Sequence, residues 1–239
     1  MSQAGLATTV VEANGHTIDA EVYRGSLISW GKQYFRPLAW RLTEDPYRIL
    51  IAEVMLHRTQ AVQVVPVYKA FIEKYPNLEA LALATSAELH KDLYPLGLHW
   101  RTGMIPKMAD ELMTSYRGVI PVEKSDLVSL DGVSQYIASA VRCFAWNLPE
   151  PLVDTNTIRV VGRLFGLKTT DSSRRNRYFH SLIRSLVDPF DARTYNYALL
   201  DLADEICIKR ARPDCKRCPV RQSCVYGAFG SPSAASDGC

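Results

Sequence analysis

The chain has 239 residues, of which 47% are hydrophobic and 22% charged. That is the balance of an ordinary soluble domain, long enough to bury a core without disulfide staples. No stretch approaches the roughly 18 apolar residues of a membrane span, no basic-then-apolar leader opens the chain, and a formal net charge of +3 permits a nucleic-acid partner without arguing for one.

Residues 1–20 are small and polar and carry little pattern. A first helix is expected over Glu21 to Tyr34, followed by a loop, FRPLAWRLTEDPYR. Pro46 stands where a helix would begin, with Asp45 as its cap. The segment that follows, YRILIAEVMLHRTQ, is apolar nearly all round and reads as a buried helix. Glu53, His57 and Gln60 fall on it at i, i+4 and i+7, so one side of that helix is expected to carry all three. A lone carboxylate there should be paired or face a cavity; the stripe is a solvent edge or a pocket wall.

Helical patterns continue at VVPVYKAFIEKY, LEALALAT and SAELHKDL, then break at the loop YPLGLHWRTG before a helix around MIPKMADELMTSY. SDLVSL and QYIASAVRCFAW are short helices joined by the tight turn DGVS. Gly132 supplies the positive φ such a turn needs. The N–H groups of Val133, Ser134 and Gln135 then open the next helix, where unsatisfied donors form an anion site. Beyond the loop PEPLVDTN, a helix TIRVVGRLFG closes at Gly166. TTDSSRRNR is a charged loop; helices at YFHSLIRSLV and YNYALLDLADEI follow. The residues at 231–239 are small and polar, a loose tail. Strand patterning is slight, and the fold class reads as all-α.

Six cysteines occur, and Cys207, Cys215, Cys218 and Cys224 stand within eighteen residues with the spacing C-x7-C-x2-C-x5-C. Such clustering indicates a metal or cluster site in a reducing compartment. Four thiolates can surround one tetrahedral zinc or a [4Fe–4S] cluster. Lys209, Arg210, Arg212, Lys216, Arg217 and Arg221 lie in the same segment, either as a solvated charge run or as phosphate contacts. Lys107 and Arg159 are further candidates for phosphates.

Three features stand in order: the helix–turn–helix with LDGVSQY, then VDTN, then the four-cysteine loop. Together with DPYRILIAEVMLHRTQAVQVVPVYKAF they resemble the helix-hairpin-helix (HhH-GPD, endonuclease III superfamily) DNA glycosylases that carry an iron–sulfur loop, over about Trp40 to Tyr226. The resemblance is nearest to the thymine/uracil mismatch and the adenine (MutY-type) branches.

The resemblance implies a six-helix barrel domain over 41–154, with the hairpin at about 125–147. It implies a discontinuous helical domain of 1–40 plus 155–230, with the cluster loop at 207–224. It implies a monomer in the cytoplasm, associated with the nucleoid, whose substrate is double-stranded DNA holding a mispaired or damaged base. That base must be flipped out before its glycosidic bond can be reached.

On the same ground Asp154 is the essential carboxylate, although an aspartate there also caps the helix near Asn156. Tyr136 occupies the position at which strand-cleaving members carry a lysine. A phenol cannot form an imine, so a monofunctional enzyme is expected. Glu53 would handle protons in the base pocket.

DNA contacts fall to Gly132, Val133, Ser134 and Gln135, with a monovalent cation at the hairpin, and to Lys216 and Arg217. His57 and Gln60 would meet the DNA at the pocket and the gap, and His99, Trp100 and Arg101 would form a wedge beside the orphan base. A [4Fe–4S] cluster is favoured over zinc.

The first cysteine gap is one residue longer than the superfamily's usual spacing. VDTN in place of DGN, and the short run of chain after the cysteines, lean towards a thymine or uracil opposite guanine. LGLHWR and TQAVQVVP lean towards an adenine glycosylase. A glycosylase for damaged or modified pyrimidines, and a non-catalytic DNA-binding protein on the same fold, are the remaining readings.

Overall fold

The computed structural model describes residues 10–97, 101–209 and 211–229. In chain order it places β1 (Val10–Ala13), β2 (His16–Asp19), α1 (Ala20–Gln33), α2 (Pro46–Leu56), α3 (Ala61–Lys74), α4 (Leu78–Ala82), α5 (Ser86–Leu93), α6 (Arg101–Tyr116), α7 (Lys124–Ser129), α8 (Gln135–Trp146), α9 (Thr155–Leu164), α10 (Arg177–Leu186), α11 (Ala192–Glu205) and α12 (Val225–Phe229). Helices dominate and the class is all-α. Two units separate, a central one of Pro37–Asn147 and a discontinuous one of Met1–Arg36 with Leu148–Cys239. Among the described residues no helix is long and apolar enough to cross a membrane.

The central unit is built on α2. Asp45 caps it by accepting from the N–H of Tyr47 at 2.9 Å, and Pro46 costs nothing in the first turn because its missing N–H had no partner to lose. Tyr47 and the run Ile49–Met55 are buried, so α2 is surrounded by its neighbours as its all-round apolar pattern requires. α8 packs against it with Ile137, Ala138, Ala140, Val141 and Phe144 inward. Buried Cys143 is part of this core. α6 begins at Arg101, so Pro106 sits inside the helix rather than at its start.

In the discontinuous unit α1 lies on α11 at close range. A Cβ on Gly31 would stand 2.4 Å from the Cβ of Ala198, so only glycine permits this approach. Tyr23 and Tyr195 meet edge to face at 6.3 Å, and buried Arg24 donates to the carbonyls of Ser185 (2.7 Å) and Leu186 (3.1 Å) at the end of α10.

The reading of the N-terminal stretch as patternless is corrected: β1 and β2 pair antiparallel around Asn14 and Gly15, both at positive φ (53° and 70°). Asn-Gly is the pair that a tight two-residue hairpin turn demands. Asn14 Nδ2 donates to the carbonyls of Phe165 (3.1 Å) and Gly166 (3.2 Å), and His16 Nε2 stands 2.9 Å from the Ser223 carbonyl. The hairpin thus joins the end of α9 to the cysteine loop.

Candidate functional site

Asp154 has extended backbone and caps α9. Its Oδ1 accepts from the N–H of Asn156 (2.9 Å) and of Thr157 (2.7 Å). Thr157 returns a bond through Oγ1 to the N–H of Asp154 at 3.0 Å, completing a capping box. The half-buried carboxylate therefore sits at the positive end of a helix macrodipole, its orientation set by backbone donors.

Its second oxygen, Oδ2, accepts from Asn156 Nδ2 at 3.0 Å. Asn156 Oδ1 in turn accepts from Arg159 Nη1 at 3.0 Å. The rest of Arg159 is committed too: Nε donates to the Cys207 carbonyl and Nη2 to the Ala203 carbonyl, each at 2.8 Å. Arg159 is accordingly a link between α9, α11 and the first cysteine. One turn on, Arg163 Nη1 lies 3.2 Å from Cys207 Sγ and donates to the carbonyls of Cys207 (3.1 Å) and Ile208 (2.9 Å). A continuous chain of hydrogen bonds runs from the Asp154 carboxylate to the start of the cysteine loop. Sequence reasoning missed the roles of Asn156 and Arg159; their signal was two polar residues three apart on the first turns of a helix whose other face is buried.

Cys207, Cys215, Cys218 and Cys224 are all half-buried free thiols. Burial pushes the Cys218 thiol up to about 12, with the other three sulfurs adding to the shift, and burial raises Cys215 and Cys224 as well. Neighbouring thiols that penalise one another's ionisation invite a positive centre, which takes thiolates and releases their protons. Donors to sulfur are in place: the Gly227 N–H lies 3.4 Å from Cys224 Sγ, and Arg163 faces Cys207. The donor chemistry fits a thiolate-bound group. Among the described residues no group of three His, Cys, Asp or Glu side chains could hold a single ion, so the thiols form a donor set rather than a preformed cage. Lys216 and Arg217 are exposed nearby, and Arg217 stands 3.9 Å from Asp214.

In the central unit the turn between α7 and α8 is held from beneath. Gly132 has φ +82°, and a Cβ there would lie 3.1 Å from Met104 Cε. The Asp131 N–H donates to Glu111 Oε2 at 3.1 Å. Ser134 caps α8, its Oγ accepting from the Ile137 N–H at 3.2 Å. The expectation of a donor at Val133 is corrected: its N–H bonds the Leu130 carbonyl at 3.1 Å and closes the turn. Ser134 and Gln135 are exposed, and Tyr136, half-buried, is the second residue of α8. A small cleft behind the turn is lined by Val54, His57, Met104, Met108, Gly132 and Ile137.

Glu53 is 6% exposed, on the buried helix α2. The stripe expected of Glu53, His57 and Gln60 does not form. α2 ends at Leu56, His57 is its extended C-cap, Arg58 turns to φ +61°, and exposed Gln60 is the N-cap of α3. Helical spacing does not apply across such a break. His99 and Trp100 lie outside the described residues, as does the side chain of Arg101, whose backbone opens α6.

Comparison with known proteins gives concordant matches. Residues 51–185 fit the profile described as "HhH-GPD superfamily base excision DNA repair protein". The thymine-DNA glycosylase of Aeropyrum pernix is 40% identical over 86% of this chain and 94% of its own. The thymine/uracil-DNA glycosylase of Pyrobaculum aerophilum is 36% identical over 87% and 93%. A solved thermostable thymine-DNA glycosylase superposes with a TM-score of 0.79 at 30% identity, covering 87% of this chain and 96% of that one. Adenine DNA glycosylases also match, that of Mycolicibacterium smegmatis at 33% identity over 87% of this chain and 70% of its own.

Proposed function

This chain belongs to the HhH-GPD superfamily of base excision DNA repair proteins, and from that membership we propose that it is a monofunctional DNA N-glycosylase removing thymine or uracil mispaired with guanine. The observation that carries the reading is the Asp154 carboxylate, fixed by donors on both oxygens at the head of α9.

Hydrolysis breaks the bond between base nitrogen and sugar C1′ and forms a bond from C1′ to water oxygen. The base departs with the electron pair, and a water proton ends on it. Positive charge develops on the sugar as the bond opens, and a carboxylate already oriented needs no reorganisation to stabilise it. With donors on both oxygens, Asp154 is arranged to hold a negative charge beside the sugar and to orient water. Glu53, in buried surroundings, is the group for proton movement at the base. Tyr136 offers no amine, so no imine forms with the sugar and the strand stays intact at the abasic site.

The hairpin from Leu130 to Ser134 meets the backbone, with Ser134 and Gln135 offering N–H groups; among the described residues neither donates to a protein acceptor. Cys207, Cys215, Cys218 and Cys224 would hold a [4Fe–4S] cluster. When bound, it supplies a rigid core to the cysteine loop, whose Lys216 and Arg217 face phosphates.

The choice of thymine or uracil rests on the names of the relatives. The adenine glycosylase matches favour a second reading, removal of adenine opposite 8-oxoguanine. Incubation with G·T, G·U and A·8-oxoguanine duplexes, followed by alkali, separates the two. Breaks at T or U only after alkali, with no borohydride-trapped adduct, are expected. Breaks at adenine alone would support the second reading, and strand scission without alkali would refute the monofunctional assignment.

A further inference from the structure

We propose that Lys168, Arg174, Arg175, Arg177 and Arg184 form a second DNA-gripping surface, which holds duplex backbone flanking the base that Asp154 addresses; the proposal rests on the glycosylase reading above. The segment 168–187 contains five Lys or Arg residues and a single acid, Asp171, a net charge of +4 where the whole chain carries +3. All five side chains are exposed, and among the described residues none pairs with a carboxylate. Ordinary surfaces intersperse both signs, because like charges crowded together repel. A one-signed patch is retained where an anion offsets that repulsion.

The geometry is ordered. α10 buries Phe179, Leu182, Ile183 and Leu186 on one face. Arg177, Ser181 and Arg184, four and three residues apart, therefore share the opposite face, and Tyr178, 48% exposed, stands beside Arg177. The 3-10 turn Asp171–Arg175 is fixed to α10, since His180 Nε2 lies 2.7 Å from the Arg174 carbonyl and Ser173 is buried. Arg174 and Arg175 are thus carried on a turn fastened to α10, not on a trailing loop.

The patch adjoins the helix that bears Asp154. At Gly162 of α9 a Cβ would lie 2.3 Å from Thr169 Cγ2, so the segment packs directly on the last turn of α9. Asp154 caps the other end of α9, whose ten residues span about 15 Å at 1.5 Å per residue. The proposal has the duplex run along α9; with phosphates of one strand advancing about 3.4 Å per nucleotide, the patch then meets the backbone roughly four to six nucleotides from the target. Four of the five cations are arginines, whose planar donors suit phosphate oxygens two at a time. An acidic protein surface could also meet guanidinium groups, but DNA already lies beside α9 when Asp154 is at work.

The test compares the wild-type protein with the R174Q/R175Q/R177Q/R184Q variant, binding duplexes of several helical turns across a salt series. The slope of log affinity against log salt should fall by about 0.9 for each phosphate that is no longer neutralised, and affinity at physiological salt by about tenfold or more. A duplex trimmed to the immediate neighbours of the mispair should bind both proteins alike, and the fourfold Arg→Lys variant should keep most of the slope. Since every altered side chain is exposed, equal thermal melting certifies the fold. An unchanged slope in the folded variant overturns the proposal and leaves the patch to a protein partner. Excision is read separately: a wild-type protein that removes no mispaired base but loses slope in the variant defeats the glycosylase reading alone. Normal excision with an unmoved slope defeats the patch alone.

Discussion

In the proposed mechanism one carboxylate, that of Asp154, has two jobs. Capping α9 uses Oδ1, and the bond from Asn156 orients Oδ2. In the sequence, cap and catalytic group can already coincide, and the observed cap leaves that proposal standing. Asn156 is therefore expected to matter to rate more than to affinity: Asn156→Ala should slow single-turnover excision by about ten- to hundredfold while DNA binding holds, since loss of positioning acts on the reacting geometry. A rate equal to wild type would dismiss the link. VDTN and LDGVSQY offer Asp154 and Tyr136 as candidates only through their resemblance, and the structure adds the capping and hydrogen-bond geometry of Asp154. The loss of the His57–Gln60 stripe was not legible, because the break at Arg58 lies within HRTQ, which contains neither glycine nor proline to announce it.

Among the elements, close approach depends on glycine. Gly31→Ala would drive a methyl into Ala198, and overpacking of this kind costs about 1–3 kcal/mol. Thermal melting should fall by several degrees with excision per folded molecule unchanged. Gly132→Ala meets two obstacles, a φ of +82° and Met104 at 3.1 Å. It should weaken DNA binding with a smaller effect on melting, because the strain falls in a turn and not inside a helix; equal binding would show that the turn shape does not matter. Helix existence and order were readable from apolar periodicity and capping residues such as Asp45 and Pro46. The β1–β2 hairpin was not, since its strands are only four residues each and their alternation hides among small polar neighbours, although Asn14-Gly15 marked the turn.

At the scale of the molecule, the cysteine loop is tied down from several directions: Arg159 and Arg163 from α9, and His16 from the hairpin. With the proposed cluster bound at the four cysteines, removing its iron with a chelator after oxidation should bleach a visible absorption band. It should also speed hydrogen exchange in residues 207–229 and along α9, because the bonds from Arg159 and Arg163 end on the Cys207 segment. Loss of colour with unchanged exchange would separate the cluster from the helix.

The most direct test of the account concerns Asp154 itself. Single-turnover excision of a G·T duplex should proceed with the wild-type protein and fall to background with Asp154→Asn, while both proteins bind the duplex with similar affinity. Asparagine can still cap α9 but carries no charge. Full excision by Asp154→Asn would contradict the account, since the fixed negative charge at the head of α9 would then play no part in the reaction.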